Sequence, residues 1–126
     1  NLQKHSAYIL YNTELPGYDN EQHRLLSTLV RYHMGNFKLP EMFKFSRYQE
    51  QDVLALIRIL RLAIILNRSR QATEKTKKIT LKIDRTLHHW TLQFTENYLQ
   101  HNPLIKNELM FENRFLQTLD LSLSAL

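Results

Sequence analysis

The sequence contains no cysteine, which excludes disulfide bonds and thiolate zinc sites. Glycine occurs only as Gly17 and Gly35, which is too little for a glycine-rich phosphate-binding loop. The apolar run at residues 62–66 is five residues long, whereas a membrane-spanning helix needs about 20. Residues 1–20 also lack the apolar core and cleavage site of a signal peptide. We therefore predict a cytoplasmic protein without a membrane span and leave peripheral membrane association open.

Acidic side chains are fewer than basic ones. The 126 residues include 17 Lys and Arg against 12 Asp and Glu, for a net charge of +5. Residues 1–73 carry 10 basic and 6 acidic side chains, whereas residues 74–126 carry 7 and 6. The positive excess lies in the first part and favours a polyanion such as polyphosphate, nucleic acid or an acidic membrane. Charge alone does not choose among these partners, and a merely solvated basic face is the alternative.

Residues 53–71 are the most informative stretch, because apolar side chains fall on nearly every side of a predicted helix. Such a helix is normally central and buried. Arg58 and Arg61 interrupt it, and Arg68 and Arg70 follow at its end. An unpaired buried charge costs several kcal/mol, so the two inner arginines must find anionic partners or reach a wet groove. The helix either ties the core together through ion pairs or lines an anion-binding groove.

The first part of the chain is predicted to form three helices, at residues 2–11, 19–35 and 46–69. No capping residue precedes the first helix, which is typical of a fragment of a longer protein. Asp19 with Gln22, and Ser46 with Gln49, have the spacing of capping boxes and predict where the second and third helices begin. The polar segment 73–78 is predicted to be a linker. After it, the spacing of the apolar residues changes from helical to alternating.

Alternating apolar residues beyond the linker predict strands at 79–83, 90–94 and 119–123, with a hairpin turn at 85–87. Asn102 followed by Pro103 predicts another helix that runs to about Thr118. Trp90, Phe94, Phe111 and Phe115 are expected to be buried by packing of this sheet on the helices. The fold class is therefore α+β and mainly helical. We expect a helical domain at 1–73 and a small β-β-α-β domain at 74–126.

Three stretches resemble the exopolyphosphatase and guanosine pentaphosphate phosphohydrolase family in the same order: KHSAYILYNTELPGY at 4–18, LSTLVRYHMGNFKLP at 26–40 and LRLAIILNRSRQ at 60–71. The resemblance runs from about residue 2 to 73 and more loosely through HHWTLQF at 88–94. The RYH and RQAT elements look closer to the exopolyphosphatase branch. The resemblance implies the C-terminal part of a longer enzyme, with residues 1–73 as the C-terminal half of a degenerate HD-like domain. The actin-like ATPase-fold domains that carry catalysis would lie elsewhere.

Catalytic and metal-binding residues are not expected in this chain. It has no His-Asp dipeptide, and in the resemblance Ile64 takes the place of the last Asp ligand of an HD site. A hydrophobic side chain cannot hold a metal. Glu108 and Glu112 are spaced one helical turn apart but are expected on a solvated face. No nucleophile elbow is present, so our set of catalytic residues is empty.

Anion binding is the chemistry that the sequence favours. Polyphosphate recognition needs spaced cationic donors, and forked guanidinium groups suit phosphate oxygens. The resemblance implies such a role for His5, Arg31, His33 and Lys38. The basic end of the long helix adds Arg68 and Arg70 to the predicted set. A structural role for His33 at the edge of the core, and a surface or ion-paired Arg31, remain the alternative.

The tyrosines of the basic part also admit base stacking, as in nucleic-acid binding. Tyr8 and Tyr32 sit at helical positions expected to pack inward, and no nucleic-acid-binding motif accompanies them. A nucleic-acid partner is therefore not favoured.

The resemblance implies a parent exopolyphosphatase that releases terminal phosphate from polyphosphate. Magnesium would be held by its other domains, and this fragment would guide the substrate and contribute to a homodimer. The alternatives are a guanosine pentaphosphate phosphatase and a non-enzymatic basic module that binds nucleic acid.

Overall fold

The computed structural model describes residues 2–39, 44–68, 79–95 and 97–126. It confirms the α+β, mainly helical class. The helices are α1 Leu2–Tyr11, α2 Asn20–Tyr32, α3 Glu50–Arg68, α4 Tyr98–His101 and α5 Pro103–Gln117; the strands are β1 Thr80–Ile83, β2 His89–Gln93 and β3 Ser122–Ala125. The chain forms two compact units, Asn1–Arg61 and Leu62–Leu126. The predicted boundary after residue 73 lies outside the described residues and stays a prediction.

In the first unit, α1 and α2 form a hairpin, in agreement with the two helices predicted there. Gly17 has φ +88°, a conformation that other residues rarely adopt. The Gln22 amide donates to Asp19 Oδ1 at 2.9 Å, and the Asp19 amide donates to Gln22 Oε1 at 3.1 Å, so the predicted capping box is confirmed. Further along, the buried Ser27 hydroxyl donates to the Ala7 carbonyl at 2.9 Å. This bond joins the two helices where Ala7 leaves room for close approach.

The end of α2 differs from the prediction, because the helix stops at Tyr32 and not at Gly35. Arg61 Nη1 donates to the carbonyl oxygens of Tyr32 at 2.9 Å and Gly35 at 2.8 Å. Its guanidinium also lies 5.9 Å from the centre of the Phe37 ring. The Tyr32 carbonyl at the end of the helix is thus satisfied by a side chain and not by another helical turn.

The predicted start of α3 is wrong. Ser46 does not begin a helix, because its amide and hydroxyl both donate to the Glu21 carboxylate. The helix instead begins at Glu50, and the Gln49 carbonyl accepts from the amides of Asp52 and Val53. A contact across 25 residues of sequence has replaced the local capping box.

Within α3, burial is one-sided, so the expectation of a helix buried all round is wrong. Leu56 and Ile59 are exposed, whereas Val53 and Ile57 are almost fully buried. Arg58 and Arg61 are buried, with 3% and 7% of their surface exposed. The arginines therefore belong to the packed side of the helix.

The second unit contains a three-stranded sheet in the order β1-β2-β3. β1 pairs antiparallel with β2, and β3 joins β2 in parallel, with Trp90 opposite Ile83 and Leu123. The short α4 precedes the predicted helix, and α5 packs on β3. One fixed point of this packing is the Leu123 amide, which donates to Asn113 Oδ1 at 2.8 Å. The order of elements agrees with the predicted β-β-α-β arrangement, apart from the extra helix.

Two burial predictions on α5 are wrong, and both concern side chains on one turn. Phe111 was expected in the core but is exposed, whereas Glu112 was expected on a solvated face but is buried. The buried residues of α5 are Ile105, Leu109, Glu112, Phe115 and Leu116, which repeat every three or four positions. Glu112 lies on that stripe and Phe111 does not. The position around the helix, and not the residue type, therefore determines which of the two side chains is buried.

Candidate functional site

The first unit contains an open cleft of about 550 Å³ between α1 and α2. Its lining includes three cationic side chains, which come from Lys4, Arg24 and Arg31. The remaining lining residues are Ala7, Tyr8, Tyr11, Ser27, Thr28 and Tyr32. No carboxylate stands among the described residues that line it. The composition of the wall is therefore basic, aromatic and hydroxylic.

Helical spacing explains why these side chains meet. On α1, Lys4, Tyr8 and Tyr11 follow one another at steps of four and three residues, which places them on one face. On α2, Arg24 and Arg31 are seven residues, or about two turns, apart. The small residues between the helices form the floor, because Ala7, Ser27 and Thr28 are buried.

The two arginines lie against aromatic rings. The Arg31 guanidinium carbon is 5.3 Å from the centre of the Tyr32 ring, and that of Arg24 is 6.0 Å from the Tyr11 ring. Such cation–π contacts orient a guanidinium without using its hydrogen-bond donors. Arg31 Nε is buried and has no hydrogen-bond acceptor in the part of the chain that the structure describes. An anion in the cleft would meet an Arg31 guanidinium that is already oriented by the Tyr32 ring.

At the start of α2, two carboxylates are already occupied. The Asp19 carboxylate accepts from the Gln22 amide and the Arg47 guanidinium, and both bonds lower its pKa. Glu21 accepts from the hydroxyl and amide of Ser46 and from the amide of Arg47 at 2.8 Å, which lowers the pKa of Glu21 as well. These acids hold the chain around residue 46 against α2.

Of the four predicted anion-binding residues that belong to the described part of the first unit, which are His5, Arg31, His33 and Lys38, the cleft lining contains Arg31 alone. His5 is exposed on α1, and Lys38 is exposed beyond α2. His33 is half-buried, and its Nδ1 contacts the Val30 carbonyl. Arg68 forms an ion pair with Glu108 at 3.2 Å within the second unit. Arg70 lies outside the described residues.

The predicted set of anion-binding residues contained neither Arg24 nor Lys4. The seven-residue spacing of Arg24 and Arg31 was the available signal, since it places both on one side of α2. The expectation for Tyr8 was wrong, because 68% of this residue is exposed. Tyr32 is buried as predicted.

Within residues 2–39, 44–68, 79–95 and 97–126, no group of three or more His, Asp or Glu residues is arranged to hold a metal ion. None of the helices in these ranges combines the length and the apolar character needed to cross a bilayer.

Comparison with known proteins relates this chain to a family. Residues 1–113 match the family described as "Ppx/GppA phosphatase, domain III". Similar proteins include the guanosine-5'-triphosphate,3'-diphosphate pyrophosphatase of Pseudoalteromonas translucida (strain TAC 125), which is 34% identical over 114 residues, covering 88% of this chain and 22% of that protein. The proteins of the same description from Vibrio atlanticus (strain LGP32) and Vibrio cholerae serotype O1 (strain ATCC 39315 / El Tor Inaba N16961) are 38% and 35% identical; they align with 87% and 86% of this chain and with 21% of their own lengths. The chain thus spans about a fifth of these relatives.

Proposed function

The chain belongs to the Ppx/GppA phosphatase family, and from this membership we propose that it is part of a longer hydrolase of phosphoanhydride bonds. In this proposal, the α1–α2 cleft binds phosphate groups of the substrate. The supporting observation is the meeting of Lys4, Arg24 and Arg31 in one cleft.

The chemistry of the cleft suits phosphate in two ways. Guanidinium groups present donors in a planar fork that matches two phosphate oxygens, and a Lys ammonium adds a positive point charge. A hydrogen bond to a charged group contributes about 1.5–3 kcal/mol. Three such cations in an open cleft can hold consecutive phosphates without a catalytic group, so bond cleavage would belong to the rest of the longer protein.

Guanosine-5'-triphosphate,3'-diphosphate is the first candidate substrate, because the similar proteins bear its name. The exposed tyrosines in the cleft wall also favour a ligand that contains a base. Linear polyphosphate is the second candidate. It is supported by the RYH and RQAT elements of the sequence and by the open, carboxylate-free wall among the described residues.

Magnesium and a homodimer complete the proposal for the longer protein. The described residues of this chain offer no cluster of metal ligands. They do not fit a resident magnesium ion, and we assign the metal to the parts of the enzyme outside this chain.

Titration calorimetry of the chain with inorganic tripolyphosphate tests the cleft. We expect binding that weakens as salt rises, because each neutralised phosphate releases counterions. Arg31→Gln should weaken binding about tenfold, which corresponds to about 1.4 kcal/mol. Lys106→Gln is the matched control. Lys106 is exposed on α5, so this substitution removes the same charge at a position that does not line the cleft. Equal losses in both variants, or no binding by the unchanged chain, would overturn the cleft assignment.

The substrate is tested in the full-length protein. Phosphate release from guanosine-5'-triphosphate,3'-diphosphate and from polyphosphate should be measured with and without Arg31→Gln. The preferred substrate is the one with the higher kcat/KM. The variant should raise KM for it, because the cleft is expected to bind and not to react. An unchanged KM would contradict a substrate role for the cleft.

A further inference from the structure

Four side chains of the first unit form a continuous series of contacts that runs from α3 to the basic cleft between α1 and α2. The Arg61 guanidinium carbon lies 5.9 Å from the centre of the Phe37 ring. The centres of the Phe37 and Tyr32 rings are 4.4 Å apart, and the ring planes are tilted by 42°. The Arg31 guanidinium carbon lies 5.3 Å from the centre of the Tyr32 ring. Two aromatic rings therefore connect a buried arginine of α3 to an arginine of the cleft wall.

Burial restricts three members of this series. Tyr32, Phe37 and Arg61 are 4%, 6% and 7% exposed. Side chains in a close-packed interior change rotamer with difficulty, because their neighbours fill the space that another rotamer would need. Arg61 also donates to the carbonyls of Tyr32 and Gly35, so the side chain that contacts the Phe37 ring holds the backbone that carries the Tyr32 ring. The Tyr32 ring therefore has a fixed orientation at the cleft wall.

The two arginines of the cleft lie against rings that differ in burial. Tyr11, the ring beside Arg24, is 46% exposed, whereas Tyr32, the ring beside Arg31, is 4% exposed. Arg31 Nε has no acceptor among the described residues, so the contact with the Tyr32 ring, and not a hydrogen bond from Nε, orients this guanidinium. A long side chain that is ordered only on binding loses rotamer freedom, and this loss weakens binding. Arg31 avoids part of that loss, because its ring support is already in place.

We infer that Phe37 and Arg61 are positioning residues for the phosphate site. Neither of them lines the cleft, but both hold the Tyr32 ring that orients the Arg31 guanidinium. The inference rests on the proposed function, since it adds a support to the phosphate-binding Arg31. A guanidinium that is oriented before phosphate arrives binds more tightly, because less conformational entropy is lost. Loss of the Phe37 ring should therefore weaken phosphate binding from a position outside the cleft lining.

Titration calorimetry with inorganic tripolyphosphate tests the role of Phe37, at a temperature where circular dichroism shows each variant to be folded. Phe37→Leu keeps an apolar side chain but removes the ring that contacts Tyr32, and it should weaken binding about fivefold. Ile57→Val is the control for lost stability, because Ile57 is fully buried on α3 and does not line the cleft. It should lower the melting temperature but leave the affinity within about twofold. Equal losses of affinity in both variants would overturn the inference, because binding would then follow overall stability.

Combination with Arg31→Gln shows whether Phe37 acts through Arg31. Phe37→Leu should weaken tripolyphosphate binding in the unchanged chain, but in the Arg31→Gln background it should alter the affinity by less than about twofold. Equal losses in the two backgrounds, or no loss in the unchanged chain, would overturn the inference. The cleft assignment would still stand if Arg31→Gln by itself weakens binding. If the unchanged chain does not bind tripolyphosphate, or Arg31→Gln binds it equally tightly, the phosphate site fails and the inference fails with it.

A measurement on the unchanged chain keeps the inference testable if Phe37→Leu does not fold. The order parameter of the Arg31 Nε–H bond can be measured by NMR relaxation without ligand. It should exceed about 0.6, because values below this level are typical of flexible groups. A lower value would show that the Tyr32 ring does not hold the guanidinium in place, and it would overturn the inference.

Discussion

Arg61, with 7% of its surface exposed, donates from Nη1 to the Tyr32 carbonyl at 2.9 Å. The same nitrogen reaches the Gly35 carbonyl at 2.8 Å, so one side chain of α3 binds both sides of the turn that ends α2. A buried arginine on this helix was expected to need partners, and the predicted partners were an acidic side chain or the water of a groove. Backbone carbonyls at a helix end satisfy the same physical requirement, because their partial negative charge attracts a cation.

The first prediction concerns the stability that Arg61 contributes. Arg61→Met keeps an unbranched apolar stem but removes the guanidinium, so the Tyr32 and Gly35 carbonyls lose this donor. We expect a loss of about 2–4 kcal/mol in the free energy of unfolding, measured by urea denaturation. Arg68→Gln is the comparison, since its ion pair with Glu108 is half-exposed and should contribute at most about 1 kcal/mol. Similar losses in both variants would refute the anchoring role of Arg61.

The second prediction concerns pH and the Glu21 carboxylate. Folding lowers the pKa of Glu21, chiefly through its bond from the Ser46 hydroxyl, so the folded state releases this proton more readily than the unfolded state. The contribution to stability is therefore complete above the pKa of the unfolded state and disappears as pH falls through the lower, folded pKa. Asp19 acts in the same direction, because the Gln22 amide and Arg47 lower its pKa.

Glu21→Gln tests this linkage directly. The variant should be less stable than the unchanged chain at pH 7, and the difference should shrink in the acid range below the ordinary pKa of glutamate. Thermal unfolding is followed by circular dichroism from about pH 2.5 to about pH 7, a range that includes the ordinary pKa of glutamate. It measures the stability difference at neutral pH and its decrease in acid. A difference that stays constant across that range would show that the ionised carboxylate is not the stabilising group.

How far the sequence predicted the fold depends on the range of the contacts involved. Asp19 and Gln22 are three residues apart, and the capping box that they form was predicted correctly. Ser46 and Gln49 have the same spacing, but Glu21 competes successfully for Ser46 from 25 residues away. Nothing in the local pattern distinguishes these two cases. The competing partner becomes visible only when the tertiary structure brings it near.

The lining of the candidate cleft could be predicted only in part, for a similar reason. The choice of Arg31 was tied to the RYH element, and Arg31 does line the basic cleft. Arg24 lies outside the quoted motifs and was missed, although its helical phase relative to Arg31 was readable from the sequence. Lys38 was chosen because it follows RYH, but proximity in sequence did not place it in the cleft wall. A search for cations on one helical face would have selected better than proximity to a motif.

The third prediction compares the two glycines with positive φ. At Gly35, with φ +77°, an added Cβ would lie 2.8 Å from Gln3 Nε2, whereas at Gly17, with φ +88°, it would meet nothing within 4 Å. Both Ala substitutions strain the backbone by about 1–2 kcal/mol. Gly35→Ala should cost more, because Gln3 must also give up its bond to the Met34 carbonyl. In a Gln3→Ala background, the two glycine substitutions should lower the melting temperature by similar amounts; a persistent gap would indicate another cause.

The fourth prediction is that this chain alone hydrolyses neither polyphosphate nor guanosine-5'-triphosphate,3'-diphosphate. The sequence offers no nucleophile, phosphate loop or metal cage for the reaction. Phosphate release in the presence of magnesium should equal that of a blank without protein. Turnover that co-purifies with the chain and disappears with Arg31→Gln would place catalysis in this part of the enzyme and contradict the proposed division of labour.

The last prediction decides between the cleft and the set of residues chosen from the sequence. Arg24→Gln and Lys38→Gln remove the same charge from the same unit, but only Arg24 lines the cleft. The slope of log affinity for polyphosphate against log salt reports the number of phosphate contacts, at about 0.7 per contact for a flexible single chain. Arg24→Gln should lower this slope by about one contact, whereas Lys38→Gln should leave it unchanged. The opposite result would favour a site around His33 and Lys38. Equal competition by duplex DNA would indicate a general basic surface, because a cleft between two helices should accept a thin phosphate chain and not a duplex.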